Sequence, residues 1–382
     1  MSAYFDYNAT TMVDEEVMAA MQPYWRDCYA NAASHHAAGR QARQAVENAR
    51  EQVAAALDAH PAEVVFTSSG TESNNTIIKG VAKMAIKNAV AVSAVEHPCI
   101  LCATRSLHGA AVPLFLAVDS NGRLDMDDLD DTLKNNDCAL VSVMTANNET
   151  GVLQDVAQIA ERVHAAGAFF HTDAAQAVGK IPLSFAASGA DAMTLSGHKF
   201  YAPKGIAALI VRRQVPFAPL LEGGGHQDGR RSGTENVPGI VGLGRACELA
   251  ATRVEERMTQ FSNWRDKLEQ RLTAAGAVIF GAQVPRLPNT CYFGFPSIDG
   301  DTMVTMLDQS GFAVTSGAAC ASMKDAPSHV LLAMEVPEAI ARTAVRFSLG
   351  ADSTEAQVSA FADCAITLAK QLQQLSAVAV ED

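Results

Sequence analysis

Short apolar runs alternate with stretches in which apolar residues recur at helical spacing through most of the chain. The first clear run, Val64-Val65-Phe66-Thr67, leads through a Ser-Ser-Gly turn into a helix beginning near Thr71, and Ser69 and Glu72 have the spacing of a capping box. Strands separated by single helices predict an α/β fold, with a mostly parallel sheet of about seven strands and helices on both faces. The predicted strands are 64–67, 90–95, 111–118, 139–144, 168–172, 192–195 and 206–211, and the predicted helices include 15–25, 40–57, 125–133 and 156–166, with two more beginning near 71 and 98.

The C-terminal part of the chain predicts a second, smaller lobe. With 382 residues, the chain is longer than the length at which a single core usually stops growing. A long helical stretch, 239–272, would connect the lobes, and strands near 277–280, 289–295 and 343–349 would belong to the second one. We therefore predict a large domain at 15–255 and a small α+β domain made of 1–14 and 256–382. Residues 1–14 are expected to form an irregular arm, because their Asp, Asn and Thr residues favour turns.

Composition narrows the class of protein. Hydrophobic residues make up 48% of the chain and charged residues 19%, as in compact globular enzymes. The net charge of −13 argues against a nucleic acid or an anionic membrane as partner, because both need clustered positive charge. No signal peptide or membrane span is predicted. The eight scattered cysteines are therefore expected to be free thiols in a reducing cytoplasm, and no metal site is predicted, since the close pair Cys99 and Cys102 has no second pair at a suitable spacing.

One lysine suggests the chemistry. An apolar run from Ala192 to Leu195 is followed directly by Ser196-Gly197-His198-Lys199. Burial at the end of such a strand would lower the pKa of the lysine, so that its neutral amine could form a Schiff base with a carbonyl cofactor. Lys199 is thus the candidate anchor for pyridoxal phosphate, although a strand-end lysine taken alone is more often a solvated surface charge.

Further polar residues follow neighbouring strands of the predicted sheet. Because the carboxyl ends of parallel strands meet at one edge, these side chains are expected to converge on one site. Asp173 could keep a pyridine nitrogen protonated, Gln176 could donate to a phenolate oxygen, and His97 could stack on the ring and move a proton. The glycine turn before the helix at Thr71 offers unpaired amides and a positive dipole end for a phosphate.

Taken together, these segments resemble one family. They are similar to the cysteine desulfurases of the NifS/IscS type, within the class V aminotransferases that use pyridoxal phosphate, and the resemblance extends from Asp6 to about Gly350. The segments that carry it are Thr67-Ser68-Ser69-Gly70-Thr71-Glu72-Ser73-Asn74-Asn75, Glu96-His97, Asn147-Asn148-Glu149-Thr150-Gly151, His171-Thr172-Asp173-Ala174-Ala175-Gln176, Ser196-Gly197-His198-Lys199 and Arg231-Ser232-Gly233-Thr234.

The resemblance implies a fold-type I homodimer in which Lys199 holds the cofactor. Asp173 would pair with the ring nitrogen, Gln176 would bind the ring oxygen, and His97 would contact the ring. Asn148 would contact ring and substrate, and Arg346 would receive the substrate carboxylate through a bidentate pair. The residues implied for the phosphate are Gly70, Thr71, Ser196 and His198, with Thr234 coming from the neighbouring subunit.

Cys320 decides the expected reaction. It lies among small residues in Thr315-Ser316-Gly317-Ala318-Ala319-Cys320-Ala321-Ser322, which favours an accessible, mobile loop. The resemblance implies that its thiolate takes the sulfur of L-cysteine, leaving L-alanine and a persulfide for an acceptor protein in iron–sulfur cluster assembly or another thiolation route. A selenocysteine lyase or another class V aminotransferase or lyase stays open as the alternative, as does a non-catalytic binding protein, although such a protein would be expected to have lost part of the Lys199, Asp173, His97 and Cys320 set.

Overall fold

The structure of the protein is a computed structural model that describes residues 3–107, 109–316 and 326–381, with side chains described up to residue 374. The helices are α1 (Glu15–Met21), α2 (Pro23–Arg26), α3 (Ala37–Ala56), α4 (Gly70–Met84), α5 (Pro98–Arg105), α6 (Met126–Asn135), α7 (Val156–Ala165), α8 (Phe185–Ser188), α9 (Val237–Ala274), α10 (Gly300–Gln309), α11 (His329–Ala333), α12 (Glu338–Ala341) and α13 (Glu355–Glu381). The strands are β1 (Ala3–Tyr4), β2 (Val64–Thr67), β3 (Ala89–Ser93), β4 (Val112–Leu116), β5 (Cys138–Ser142), β6 (Phe169–Asp173), β7 (Ala192–Ser196), β8 (Ala207–Val211), β9 (Val278–Ile279), β10 (Thr290–Gly294), β11 (Phe312–Ala313) and β12 (Ala344–Ser348).

A seven-stranded sheet with the order β2-β8-β7-β6-β5-β3-β4 forms the centre of the large lobe. The neighbours from β7 to β4 pair in parallel, whereas β8 is antiparallel to both β7 and β2. Strand β2 therefore runs in the same direction as β7, and only β8 is reversed. The continuous apolar runs in the sequence are explained by burial, because β2, β3, β5, β7 and β8 are buried along their whole length. The predicted α/β class with a mostly parallel sheet is confirmed.

The second lobe has its own core around an antiparallel sheet with the order β12-β10-β9. Phe5, Phe347 and Phe361 pack together in it, with ring centroids 4.3 Å apart for Phe5 and Phe347 and 4.7 Å apart for Phe347 and Phe361. Helix α9 joins the two lobes: its residues up to Ala250 pack in the core of the large sheet, and those from Phe261 onward pack in the second core. The boundary between 255 and 256 stays a prediction, and these two cores are compatible with it.

The N-terminal segment is turns and irregular backbone at 7–14, as expected, but it also contains a short strand and a bridge that were not predicted. Strand β1 pairs in parallel with β11, Asp6 bridges to Ser348, and Phe5 is fully buried. A two-residue strand is too short to leave a periodic signal, so the turn-favouring residues after it dominated the prediction. The segment is thus part of the second core, and it carries Asn8 into the interior.

The helix predicted at 15–25 is divided in two. Helix α1 ends at Met21 and α2 begins with Pro23. Proline has no amide hydrogen to donate into the preceding turn, and its ring clashes with a continuing helix. No helix within residues 3–107, 109–316 and 326–381 is long and apolar enough to cross a membrane.

Candidate active site

Five strands that run in the same direction deliver polar groups to one edge of the large sheet. Strand β2 leads to Gly70, β3 to His97, β5 to Asn148, β6 ends at Asp173, and β7 leads into a short 3₁₀ turn, Gly197–Lys199. The convergence expected from the sequence follows from this topology, because the carboxyl ends of parallel strands lie side by side. None of the predicted residues directly follows the reversed strand β8 or the outermost strand β4.

Lys199 is partly buried at this edge. Its Nζ donates to the main-chain carbonyls of Asn8 and Ala9, at 2.7 and 2.8 Å. The segment that follows the first strand therefore forms one wall of the site. These contacts hold the amine on the protein side rather than in bulk solvent.

Asp173 is the last residue of β6 and is buried. Its Oδ2 accepts from Asn74 Nδ2 at 2.7 Å, and its Oδ1 accepts from the amide of Ala175 at 2.9 Å. Each carboxylate oxygen keeps a further lone pair for another donor. The Asn74 amide also contacts Cys99, at 3.3 Å from Nδ2 to Sγ, and its own Oδ1 is buried without a hydrogen-bond partner among the described residues.

His97 caps the N-terminus of α5. Its Nδ1 accepts from the amide of Cys99 at 3.2 Å, which leaves the proton on Nε2. Burial lowers the pKa of His97; the nearby Asp173 carboxylate opposes that lowering, whereas Lys199 and His329 add to it. The imidazole is therefore neutral near pH 7. It lies within electrostatic range of both Asp173 and Lys199, as the sequence predicted.

The turn between β2 and α4 can hold an anion. The amides of Glu72 and Ser73 are bonded to Ser69, whereas those of Gly70 and Thr71 stand at the start of the helix, where no intrahelical acceptor exists. Gly70 lies close to the end of β7: a Cβ placed on it would be only 3.3 Å from the Cβ of Ser196. A bulkier residue would narrow the space between the helix start and the strand end.

His198 lies in the 3₁₀ turn that follows β7. Its Nδ1 is 3.1 Å from the hydroxyl of Thr10. Burial, followed by the charges of Lys199 and Lys204, lowers the pKa of His198 to about 4. The ring is neutral near pH 7, so it can serve a phosphate as a hydrogen-bond donor through Nε2 when Thr10 donates to Nδ1.

Arg346, on β12, faces the same site from the second lobe. Its Nη1 donates to the carbonyl of Asn148 at 2.9 Å, and its Nη2 forms an ion pair with Asp6 at 2.8 Å. Its Nε is buried and has no hydrogen-bond partner among the described residues. The neighbouring Asn147 holds the turn, since its Oδ1 accepts from the amides of Glu149 and Thr150, and the side chain of Asn148 remains partly exposed.

Sequence reasoning missed a buried group of polar residues behind the site. We call Asn8, Gln176, Lys180, Asn289 and Thr290 the Asn8 cluster. Gln176 Nε2 donates to the Asn8 carbonyl at 2.9 Å, the same oxygen that Lys199 contacts. One of the two amide hydrogens of Gln176 is used in this way, which leaves the other for a ligand. Only Gln176 of this cluster had a signal in the sequence, through its place after a strand.

A second missed network surrounds Glu149, which is buried. Its Oε2 accepts from the hydroxyls of Tyr292, at 3.2 Å, and Ser328. Burial raises the pKa of Glu149, against the opposing effects of the Ser328 hydrogen bond and of His329 and Arg346. His329 Nε2 lies 3.0 Å from the carbonyl of Glu96, next to His97. The residues after position 325 are thereby attached to the wall of the site that carries His97.

Two predicted residues are not among those brought together. Cys320 lies outside the described residues, as does the rest of 317–325. Thr234 is exposed in the loop before α9, and no hydrogen bond within the described part of this chain joins it to the other predicted residues. The same loop contacts α4 through Arg231, whose Nε is 2.8 Å from Glu72 Oε1.

Comparison with known proteins gives consistent results. The family model described as "Aminotransferase class-V" matches residues 3–361. A cysteine desulfurase of Nostoc sp. strain PCC 7120 is 46% identical over 378 residues, covering 98% of this chain and 94% of the relative. A cysteine desulfurase of Gluconacetobacter diazotrophicus is 43% identical over 381 residues, covering 98% and 95%.

Solved structures show the same likeness. A structure named "NIFS-LIKE PROTEIN" superposes with a TM-score of 0.89 at 38% identity, covering 96% of this chain and 99% of the other. A NifS-like protein from Rickettsia africae superposes with a TM-score of 0.87 at 33% identity, covering 95% and 98%. The likeness thus includes both lobes and the edge of the sheet where the polar residues meet.

Proposed function

The chain belongs to the class V aminotransferase family and, within it, to the cysteine desulfurases, and from this premise we propose that it converts L-cysteine to L-alanine and leaves the sulfur as a persulfide on Cys320. The observation that carries the proposal at the level of residues is the convergence of Lys199, Asp173 and His97 at one sheet edge, opposite Arg346. Arg346 can bind an amino acid by its carboxylate, and Lys199 and His97 are groups that can accept and donate a proton.

The residues at the edge fit pyridoxal phosphate. The close approach of Gly70 to Ser196 forms a narrow cradle at a helix start, suited to the phosphate. Asp173 offers free lone pairs for a ring N–H, and Gln176 has an unused amide hydrogen for the ring oxygen. When bound, the cofactor supplies an aldehyde carbon and an electron-accepting ring. The residues that would hold its phosphate are Gly70, Thr71, Ser196 and His198.

The protein groups have separable roles in the reaction. Arg346 would bind the substrate carboxylate through Nε–H and a remaining Nη–H, since two of its N–H groups are already used by Asn148 and Asp6. The Lys199 amine would take the α-proton and return it, and the neutral His97 would contact the ring and donate through Nε2. The side chain of Asn148 is available for the substrate.

Cys320 would complete the reaction as the nucleophile. Its thiolate attacks the sulfur of the substrate, an S–S bond forms while the C–S bond of the substrate breaks, and the released carbon takes a proton to give alanine. The support is the position of Cys320 in the sequence, between Ser316 and Ser328, whose described atoms contact the Tyr292 and Glu149 network of the site.

We propose that the enzyme acts as a homodimer, with Thr234 completing the phosphate site of the neighbouring subunit. The exposure of Thr234 and the contact of its loop with α4 support this arrangement. The persulfide would be passed to an acceptor protein for iron–sulfur cluster assembly or another thiolation route. A cytoplasmic location is compatible with the described cysteines, which are all free.

Incubation of the purified protein with L-cysteine and a reductant tests the proposal. Alanine and sulfide should form in equal amounts, and Cys320→Ser should abolish sulfide release while the cofactor stays bound. Cys102→Ser is the matched control, because Cys102 is exposed on α5 and is expected to leave turnover unchanged. Full turnover by Cys320→Ser would contradict the assignment of the nucleophile. Release of selenide from selenocysteine with no sulfide from cysteine would identify a selenocysteine lyase instead.

A further inference from the structure

Lys180 is a buried amine that the reaction described above does not use. It lies four residues after Gln176, in the turns that follow β6, and it is buried, with a relative exposure of 8%. Its Nζ donates to Gln176 Oε1 at 2.6 Å and to Asn8 Oδ1 at 2.7 Å. Within the described residues it forms no ion pair with a carboxylate. Burial lowers the pKa of Lys180 well below its usual value, and the nearby Lys199 and Arg346 add to this effect.

The surrounding amides can have only one orientation. Asn8 Nδ2 donates to Thr290 Oγ1 at 2.9 Å and to the carbonyl of Asn148 at 3.3 Å, so Asn8 Oδ1 must face Lys180. Gln176 Nε2 donates to the carbonyl of Asn8, which can only accept, so Gln176 Oε1 must also face Lys180. Two amide oxygens therefore point at one amine. A lysine amine has enough hydrogens for both acceptors in either protonation state, so these contacts fix the orientations of the two amides.

We propose that Lys180 is a positioning residue that fixes the side-chain amide of Gln176 with its NH₂ group toward the active site, so that Gln176 acts as a donor to the ring oxygen of the cofactor. This inference rests on the proposed function. The oxygen and the NH₂ group of the Gln176 side-chain amide are nearly the same size. The two orientations of the amide therefore differ mainly in the hydrogen bonds that they form. Two partners favour the same orientation: the Asn8 carbonyl accepts from Gln176 Nε2, and Lys180 donates to Gln176 Oε1.

Loss of that donor has a specific consequence. Lys180→Met nearly keeps the length of the side chain but removes a hydrogen bond from both Gln176 Oε1 and Asn8 Oδ1. Asn8 Oδ1 still accepts from Asn289 Nδ2 at 3.1 Å, so the loss falls mainly on Gln176 Oε1, and a buried acceptor without a donor is unfavourable. The Gln176 amide is then held in its orientation only by the Asn8 carbonyl, which accepts from Nε2. The rotated amide, which presents its oxygen to the ring oxygen so that two acceptors repel each other, is therefore less strongly disfavoured than in the wild type. The effect on the cofactor should therefore pass through Gln176.

A double-mutant cycle tests this route. The dissociation constant of pyridoxal phosphate is measured by absorbance titration of the apo form of the full-length chain for the wild type, Lys180→Met, Gln176→Ala and the double variant. Lys180→Met is expected to weaken binding about tenfold in the wild-type background but about twofold or less in the Gln176→Ala background. The absorption maximum of the bound cofactor should shift in Lys180→Met, since a donor to the ring oxygen is lost. Lys134→Met, at an exposed position of α6, controls for the loss of a lysine and should leave both readouts unchanged.

If Lys180→Met loses the same factor of affinity in the wild-type and Gln176→Ala backgrounds, Lys180 has a general structural role and the proposal is overturned. A Lys180→Met protein with the affinity and the spectrum of the wild type would overturn it as well. If Lys180→Met does not fold, the same cycle is run with Lys180→Gln, which is shorter but keeps N–H donors, and the coupling should have the same sign with a smaller size. A wild-type protein that binds no pyridoxal phosphate would refute the proposed function itself. A wild type that binds it beside an unaltered Lys180→Met would refute only the role of Lys180.

Discussion

Replacing Arg346 by lysine would test how the substrate is held. Arg346 is 6% exposed and is bonded to Asp6 and to the carbonyl of Asn148, with Nε left over. A lysine keeps the positive charge near Asp6 but has no planar fork, so it cannot serve Asp6, Asn148 and a substrate carboxylate with the same geometry. The variant therefore separates the charge of the residue from its bidentate binding.

The expected size of the effect follows from the lost contact. A hydrogen bond to a charged group contributes about 1.5–3 kcal/mol, which corresponds to a change in affinity of roughly 10- to 100-fold. Because the carboxylate is bound in the same way before and during the reaction, the loss should appear mainly as a higher KM, with a smaller change in kcat. The assay is the initial rate of alanine formation as a function of L-cysteine concentration.

The matched control for this variant is Arg342→Lys. Arg342 is half-exposed on the surface of the same lobe and pairs with Glu338 one helical turn away. An exposed pair of this kind contributes little, so KM should stay within about twofold of the wild type. A KM for Arg346→Lys equally close to the wild-type value, in a variant with unchanged thermal stability, would refute the proposed binding of the carboxylate.

Three other changes probe the site and its surroundings. Gly70→Ala places a Cβ 3.3 Å from Ser196, and overpacking of about 1 kcal/mol or more should weaken cofactor binding by roughly tenfold in the absorbance titration, so unchanged binding would argue against a phosphate there. Tyr292→Phe removes the donor to Glu149 and should lower the free energy of unfolding by about 1 kcal/mol in a urea titration, whereas an unchanged value would show that this hydrogen bond adds nothing. Burial lowers the pKa of His171 to about 3, below the usual 6.5, so the unfolded state binds the proton first and the stabilisation from the neutral ring is present above pH 6.5 and is lost as the pH falls toward 3. The difference in unfolding free energy between the wild type and His171→Asn should therefore shrink by about 1–2 kcal/mol from pH 7 to pH 5, and a constant difference would contradict this.

The sequence was sufficient to predict the large sheet and the strand ends at which the candidate site residues lie. Buried strands such as Val64–Thr67 are continuous apolar runs, and the polar residues that follow them, among them Asp173 and Lys199, stand where a parallel sheet gathers its strand ends. This part of the site could be predicted because each residue is defined by its own neighbours in the chain.

The rest of the site depends on distant parts of the chain. Asn8 donates to Ser348, 340 positions away, and to Asn148, 140 positions away, and no local pattern marks such pairs. In the sequence, nothing distinguishes Lys180 from a lysine on the surface. Its burial follows from the fold, because Asn8 of the N-terminal segment lies against it. The short strand β1 in the N-terminal segment was missed for the same reason, since it is formed by pairing with β11, whereas residues 7–14 are turns and irregular backbone as expected.

The central claim is that the amine of Lys199, held at the sheet edge by Asn8 and Ala9, carries the cofactor. Reduction of the protein loaded with pyridoxal phosphate by borohydride, followed by proteolysis and mass spectrometry, locates the attached pyridoxyl group directly. We predict that it is found on the peptide containing Lys199, and that Lys199→Ala protein gives no labelled peptide. A pyridoxyl group on Lys180 or on any other lysine of the wild type, or no labelled lysine at all, would contradict the account.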